Sequence, residues 1–297
     1  GMLTIENNAS ASFTYFNGKG VLNVLNATFK SLNFNIADSG RLTFANGAKA
    51  TLGSSDDAKK NSTARGDISV QGDDAELTLI GDIKYGRTST AADFTVKNNA
   101  TVTVNGNIEI GYFTQISGAM SFYKGSLSLA DNARFTATGT ITVFLESALA
   151  MDYTSRLTFA GLTAQEDSIT INVSGYTDGV YKVMENTGAN AVDYATVISN
   201  WSEIENIGYA IVDNSLYLGK ADQENYLVNA DYSKYNFGDA IEDKAGYFYG
   251  FNAFSSLDEA GRAAKEATRT ITVEADLAED VNTPLFDLKG DLILTAE

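Results

Sequence analysis

The segment "GDIKYGR", residues 81–87, is where the side chains of this chain come nearest to a recognisable reaction. It sets Asp82, Lys84 and Arg87 together, with Asp73, Asp74 and Asp93 not far away in sequence. A basic side chain beside a carboxylate-held Ca²⁺ is what proton abstraction and elimination on an acidic sugar require. Alternation along an extended strand would put Asp82 and Lys84 on one face. Charges at outward strand positions are, however, ordinary solvation, and no neighbouring segment repeats this group. A polysaccharide lyase or glycosidase acting on acidic polysaccharide is therefore the alternative expectation. A glycosidase carboxylate pair cannot be picked out by spacing in a chain whose distant residues stack together.

The inventory of reactive groups excludes more than it offers. The chain has no His and no Cys, which removes Ser-His-Asp triads, thiolate nucleophiles, disulfides and histidine-based metal sites. Lys and Arg total 21 against 38 Asp and Glu, a formal charge of −17. Such a chain repels phosphate backbones and anionic bilayers, so nucleic acid is not an expected partner. No stretch approaches the roughly 18 apolar residues that would span a membrane, and no membrane insertion of this segment is expected. The acidic loop "SSDDAKK", residues 54–60, reads as solvated, since the Gly-Gly-x-Gly-x-Asp calcium repeat is absent. No catalytic, cofactor-binding or metal-ligating residue is assigned, and no cofactor is expected.

The elements that would position these side chains are written in a repeat. "FTVKNNATVTVNGNIEI", residues 94–110, returns at 127–143 as "LSLADNARFTATGTITV". Six apolar anchors keep their places: Phe94 and Leu127, Val96 and Leu129, Val102 and Phe135, Val104 and Ala137, Ile108 and Ile141, Ile110 and Val143. A period of two means half-buried strands, and Asn-Asn, Asn-Gly and Asp-Asn tolerate the left-handed angles of tight corners. Related units start at Leu3, Leu42 and Ile68, with looser ones at Val21 and Leu157. Each supplies three short strands and cannot bury its apolar side alone, so stacking in parallel is the expected solution. The expected fold is all-β: a right-handed parallel β-helix with three short strands per rung. Extra residues in "GSSDDAKKNSTARGD", "YGRTSTAAD" and "GYFTQISGAMSFYKGS" are expected to form a ridge at one corner, a loop-lined binding side. Thr101, Thr103, Thr136, Thr138, Thr140 and Thr142 read as outward β-formers, because Lys49 and Glu76 interrupt any flat threonine array.

Four segments follow from this pattern: 1–173 the β-helix, 174–221 a β-rich hairpin cap, 222–250 a connecting segment, and 251–297 one short helix with the first strands of a following β-helix module. Trp201 reads as cap core. Ser255 and Asp258 suggest a capping box for a helix over roughly 256–268, with Leu257, Ala260, Ala264 and Ala267 on one face.

Units such as "LTFANGAKATL" and "FTVKNNATVTVNGNI", with "GVYKVMEN" and "AIVDNSLYLG" after them, resemble the parallel β-helix passengers of bacterial autotransporter-like surface proteins. "NAFSSLDEAGRAAKEATRTITVEAD" resembles the helix and first strand that open pectin-lyase-like β-helices. The order, an ending before a beginning, suggests a slice of a longer array. The resemblance implies a non-catalytic extracellular surface or adhesin segment, a repetitive stalk on a bacterial cell surface or secreted. Its expected partner is a glycan or protein of a host or neighbouring cell, and its cut ends would favour end-to-end self-association.

Overall fold

The structure, a computed structural model, describes residues 1–53, 62–116, 119–177, 179–219, 225–263, 269–274 and 292–296. The protein is all-β in class, with two large sheets dominated by parallel pairs and three short α-helices among the described residues. It divides into two compact regions: Gly1–Ser174 with Val183–Glu203 and Val212–Leu216, and Gly175–Lys182 with Ile204–Ile211 and Tyr217–Glu297.

In the first region, an eight-stranded parallel sheet runs in sequence order through Met2–Glu6, Val21–Leu25, Arg41–Ala45, Asp67–Gln71, Ala92–Lys97, Gly125–Ala130, Ala148–Asp152 and Ile169–Asn172. Between successive members the chain forms two more strands, which stack as a second and a third parallel column. The second holds Lys49–Leu52, Glu76–Ile80, Thr101–Asn105, Arg134–Ala137 and Arg156–Phe159. The third holds Ser62–Ala64, Ile83–Tyr85, Ile108–Ile110, Thr140–Val143 and Gly161–Ala164. In the first two rungs these columns are still one strand, Ser10–Gly18 and then Thr28–Ile36. The second of these divides its partners: Thr28–Ser31 pairs with Lys49–Leu52, and Ile36 pairs with Ala64. Ser31, fully buried where that strand changes partners, donates its hydroxyl to the carbonyl of Asn33 at 2.6 Å, so no buried polar group is left open there.

All six anchor pairs of the sequence alignment are direct register partners across adjacent strands. Their side chains form the core, with Phe29, Phe44, Phe94, Phe135 and Phe159 fully buried and Phe94 and Phe135 meeting edge-to-face at 5.8 Å. The corner after the first column is made by left-handed Asn and Asp residues: Asn7, Asn8, Asn26, Asn46, Asp74, Asn98, Asn99, Asp131 and Asn132. A buried alanine follows in five rungs, at Ala27, Ala48, Ala75, Ala100 and Ala133. Gly20, Gly40 and Gly66 stand just before the first-column strand of successive rungs. A Cβ on any of them would lie 2.1–2.3 Å from a carbonyl of the previous rung's glycine, which only a bare backbone avoids.

Four expectations are corrected here. The unit placed at Leu157 begins one strand earlier, because Leu157 pairs with Phe135 of the second column and Leu149 with Leu127 of the first. The Ala-rich "ALAMD" hid that first strand. The insertions do not collect at one corner. The 53–61 insertion joins the second column to the third, whereas 86–91 and 111–124 join the third column to the next first one. Residues 54–60 themselves lie outside the described residues. Finally, the segment read as hairpins contains helices at Tyr194–Val197 and Trp201–Ile207 before the paired strands Tyr209–Val212 and Ser215–Gly219. The first helix forms because the Asp193 carboxylate accepts from the Thr196 amide and hydroxyl. The turn between those two strands is made by Asp213 and Asn214, both left-handed. Trp201 is half-buried rather than core.

The second region carries a four-stranded parallel sheet in the order Ala253–Phe254, Asn225–Val228, Arg269–Val273, Leu292–Ala296. Asn225–Val228, read as connecting segment, is thus an interior strand, its "NYLV" too short to show a period. The helix Leu257–Ala263 packs Leu257 and Ala260 against Tyr226, Val228, Phe254 and Ile271. Its cap lies one residue beyond the expected one: Ser256 Oγ accepts from the Glu259 amide at 3.2 Å, and the Glu259 carboxylate reaches back to Ser255. Ala264 and Ala267 lie outside the described residues.

Candidate functional site

Lys84 projects outward from Ile83–Tyr85, between buried Ile83 and Tyr85, and its ammonium meets the Glu109 carboxylate of the next rung at 3.3 Å. Asp82 faces the same next rung at Asn107, immediately before the strand Ile108–Ile110 that holds Glu109. Its Oδ1 accepts from the backbone and side-chain nitrogens of Asn107 at 2.9 and 3.0 Å, and Asn107 accepts in turn from the Thr140 amide. Arg87 turns toward the start of its own rung and toward an earlier one. It pairs with Asp67 at 3.0 Å and donates to the carbonyls of Asp38, Thr90 and Ala91, which leaves its side chain only 15% exposed. The residues that sequence placed together therefore spend their charges on three separate neighbours.

The acidic candidates are engaged in the same way. Asp73 accepts from the Asn99 side chain at 2.7 Å, and Asp93 accepts from Ser126 Oγ at 2.8 Å. Asp74 is a left-handed corner residue. No group of three acidic side chains among the described residues is arranged to hold a metal ion.

What the sequence did not signal is the aromatic strap beside these ladders. The antiparallel hairpin Tyr112–Ile116 and Ala119–Tyr123 grows from the third-column corner and stacks its first and last rings, Tyr112 on Tyr123, at 4.2 Å and 6°. Lys84 lies over the Tyr112 ring at 5.8 Å and Arg65 over the Tyr123 ring at 5.5 Å. Arg65 also faces Asp38 at 3.9 Å. Tyr112 Oη and Arg65 Nε are buried without completing a hydrogen bond. Burial pushes the Tyr112 phenol up to about 12, a rise the nearby Arg65 guanidinium opposes. Tyr85, buried behind Lys84, is pushed well above the ordinary tyrosine value by burial and then by Asp67 and Asp93, and it donates to the Gly66 carbonyl at 3.1 Å. Both phenols stay protonated at neutral pH, so neither is a base. Three cations and three carboxylates, Arg65, Lys84 and Arg87 with Asp38, Asp67 and Glu109, balance one another across stacked rungs. This arrangement stiffens a corner; it does not gather a base, an acid and a substrate cleft around one point.

On the outer face of the second column, Thr51, Thr78, Thr103, Thr136 and Thr158 stand in continuous register. Beside them run Lys49, Glu76, Thr101, Arg134 and Arg156, so the row is bordered by charge, as expected from the sequence.

Among its described residues the second region carries a charge cluster around a nearly buried carboxylate. Glu274 accepts from the Tyr232 hydroxyl and pairs with Lys244, and its side chain is 9% exposed. Burial alone would raise this carboxyl, but the bonds from Lys244 and Tyr232 carry it below its ordinary value. Burial and the same carboxylate push the Tyr232 phenol up. The cluster ties the Ala230–Lys234 turn and Lys244 to the end of Arg269–Val273.

No family model, curated protein or solved structure matches this chain.

Proposed function

We propose that this chain is a segment of a right-handed parallel β-helix from a bacterial extracellular surface or adhesin protein, and that it acts as a non-catalytic stalk with loops at two of its corners. The observation that carries this reading is the spending of outward charges between rungs. Lys49 pairs with Glu76, Lys84 with Glu109, and Arg156 with Glu185, each across stacked strands, and Arg87 in its corner pairs with Asp67. Residues used to lock neighbouring rungs support a long, stiff surface and argue against the lyase alternative, whose base Lys84 and carboxylate Asp82 are each taken by a separate partner on the next rung. The resemblance of the repeat units to autotransporter-like passengers supports the surface location. The partner is a glycan or protein of a host or neighbouring cell, met by the corner loops that vary between rungs.

The reading is tested by two assays on the purified chain. Incubation with polygalacturonate and alginate, with Ca²⁺ present, should yield neither unsaturated product nor new reducing ends. Saturable binding to a glycan array or to cultured cells, lost when the hairpin 112–123 is replaced by a short Gly-Asn turn, is the expected positive result. Turnover abolished by Lys84→Ala would replace the adhesin reading with the lyase one.

A further inference from the structure

We infer that the outer face of the hairpin Tyr112–Ile116 and Ala119–Tyr123 is a platform for an uncharged sugar, on which the rings of Phe113 and Phe122 stack against a pyranose while the Gln115 carboxamide fixes its orientation. The inference rests on the surface-protein reading and names the chemistry of the partner that one of its loops meets.

The hairpin has two unlike faces. The inner one carries the stacked pair Tyr112 and Tyr123, steadied by Lys84 and Arg65 over the rings. Alternation puts Phe113 and Gln115 of one strand, with Phe122 and Met120 of the other, on the opposite face. There Phe113 is 48%, Met120 52% and Phe122 53% exposed. Three large apolar side chains in water on one short strand pair differ from the single, scattered ones of an ordinary surface. Phe113 and Phe122 are direct register partners, so their Cβ atoms stand about 4.5–5.5 Å apart and one sugar ring can touch both. Phe113 is also held edge-to-face at 6.1 Å by Phe144, from the corner of the next rung.

Charge, size and one polar group identify the occupant. Residues 111–123 carry no charged side chain, in a chain of −17. The cations around the hairpin are each paired already: Arg65 with Asp38, Lys84 with Glu109, Arg87 with Asp67 and Lys124 with Glu146. An anionic sugar or headgroup would meet net repulsion and no cation left over to offset it. A stable protein partner needs about 20–30 residues a side, and this face offers two strands of five. The apolar C–H face of a pyranose needs only a ring or two, whose negative faces attract it. Its hydroxyls need a polar partner, and exposed Gln115, on the same face as Phe113, makes no side-chain hydrogen bond among the described residues. That carboxamide would be stranded in a bilayer, where it has nothing to bond.

The closing experiment starts from binding of the purified chain to cultured cells. Binding should be abolished when the cells are first oxidised with periodate, which cleaves sugar diols, and should be unchanged by sialidase, which removes acidic sugars. On an array of matched neutral and sialylated glycans the neutral ones should be held, with little dependence on salt. Phe122→Ala should weaken binding about tenfold and Phe122→Tyr should keep it, while Gln115→Ala should weaken it and broaden the range of sugars held. Phe113→Ala should act like Phe122→Ala; should it disturb the circular dichroism spectrum, the two Phe122 variants decide alone. Cell binding that survives periodate, that is lost after sialidase, or that persists at full strength in Phe122→Ala would each overturn this site and leave the surface-protein reading standing. Flotation with phosphatidylcholine vesicles, lost in Phe122→Ala, would overturn it with lipid as the occupant. No binding to cells or to the array would overturn both.

Discussion

The two ends of the eight-stranded sheet face the same physical problem and meet it differently. At Ile169–Asn172, the last strand has its free backbone groups taken by the bridge to Ile198, by Ser199 and by the carboxamide of Asn200, which imitates a peptide unit. At Met2–Glu6 nothing described occupies the outer side, and residues that are core one rung later stand in solvent. The difference teaches that identical strand chemistry, a Leu in the same register position, contributes to stability only when a neighbour covers it on both sides.

The contrast is sharpest at aromatic positions. Phe135→Ala, in the covered interior, should destabilise by about 3–5 kcal/mol, whereas Phe13→Ala on the open rung should cost less than about 1. Urea melts of the two variants measure both, and equal losses would mean that the first rung is covered in solution. Next in size is Gly40→Ala. Its new methyl would press on the Gly18 carbonyl, so a loss of about 1–3 kcal/mol is expected in the same melts.

Asn200→Ala should make the closed end behave like the open one. Two hydrogen bonds to Ile171 disappear, at a cost of about 1–3 kcal/mol, and hydrogen exchange at the Ile171 amide should accelerate toward that of Thr4. An unchanged rate would show that another group closes the strand.

The smallest effect concerns pH and distinguishes the two regions from each other. The Glu274 carboxyl is lowered in the folded state, so its stabilisation is fully present above its unfolded value and is lost as pH falls through the folded one. The second region should therefore loosen during acid titration in that window, followed by amide signals of Tyr226 and Ile271. Glu274→Gln should remove this pH dependence while leaving that of Phe94 and Val102 unaltered.

Much of the first region was legible because its code is local. The alternation of Phe94, Val96, Val102 and Val104 and the Asn-Asn corner between them specify strand, face and turn within a few residues, and repetition at 127–143 specifies the register. The stacked glycines were not read, since Gly20, Gly40 and Gly66 matter only through a backbone atom about twenty residues earlier. Asn225–Val228 was missed for the same reason, its partners lying at 253–254 and 269–273. The charge group at 81–87 misled in the opposite sense. Proximity in sequence suggested convergence, whereas each member answers to a separate partner.

The sequence by itself determined the all-β class, the inward set Phe94, Val96, Val102, Phe135 and Ile141, the corners and the exclusion of histidine and cysteine chemistry. These follow from side-chain period, backbone propensity and inventory, which act over a handful of residues. Only the tertiary structure decided which corner each insertion leaves from, that Lys84, Asp82 and Arg87 each meet a separate partner, that Tyr112 stacks on Tyr123, and that one sheet end is closed by Asn200 while the outer side of Met2–Glu6 is not covered by any described residue. Those outcomes depend on what lies about 4.8 Å above or below each strand, and that neighbour comes from another rung of the chain.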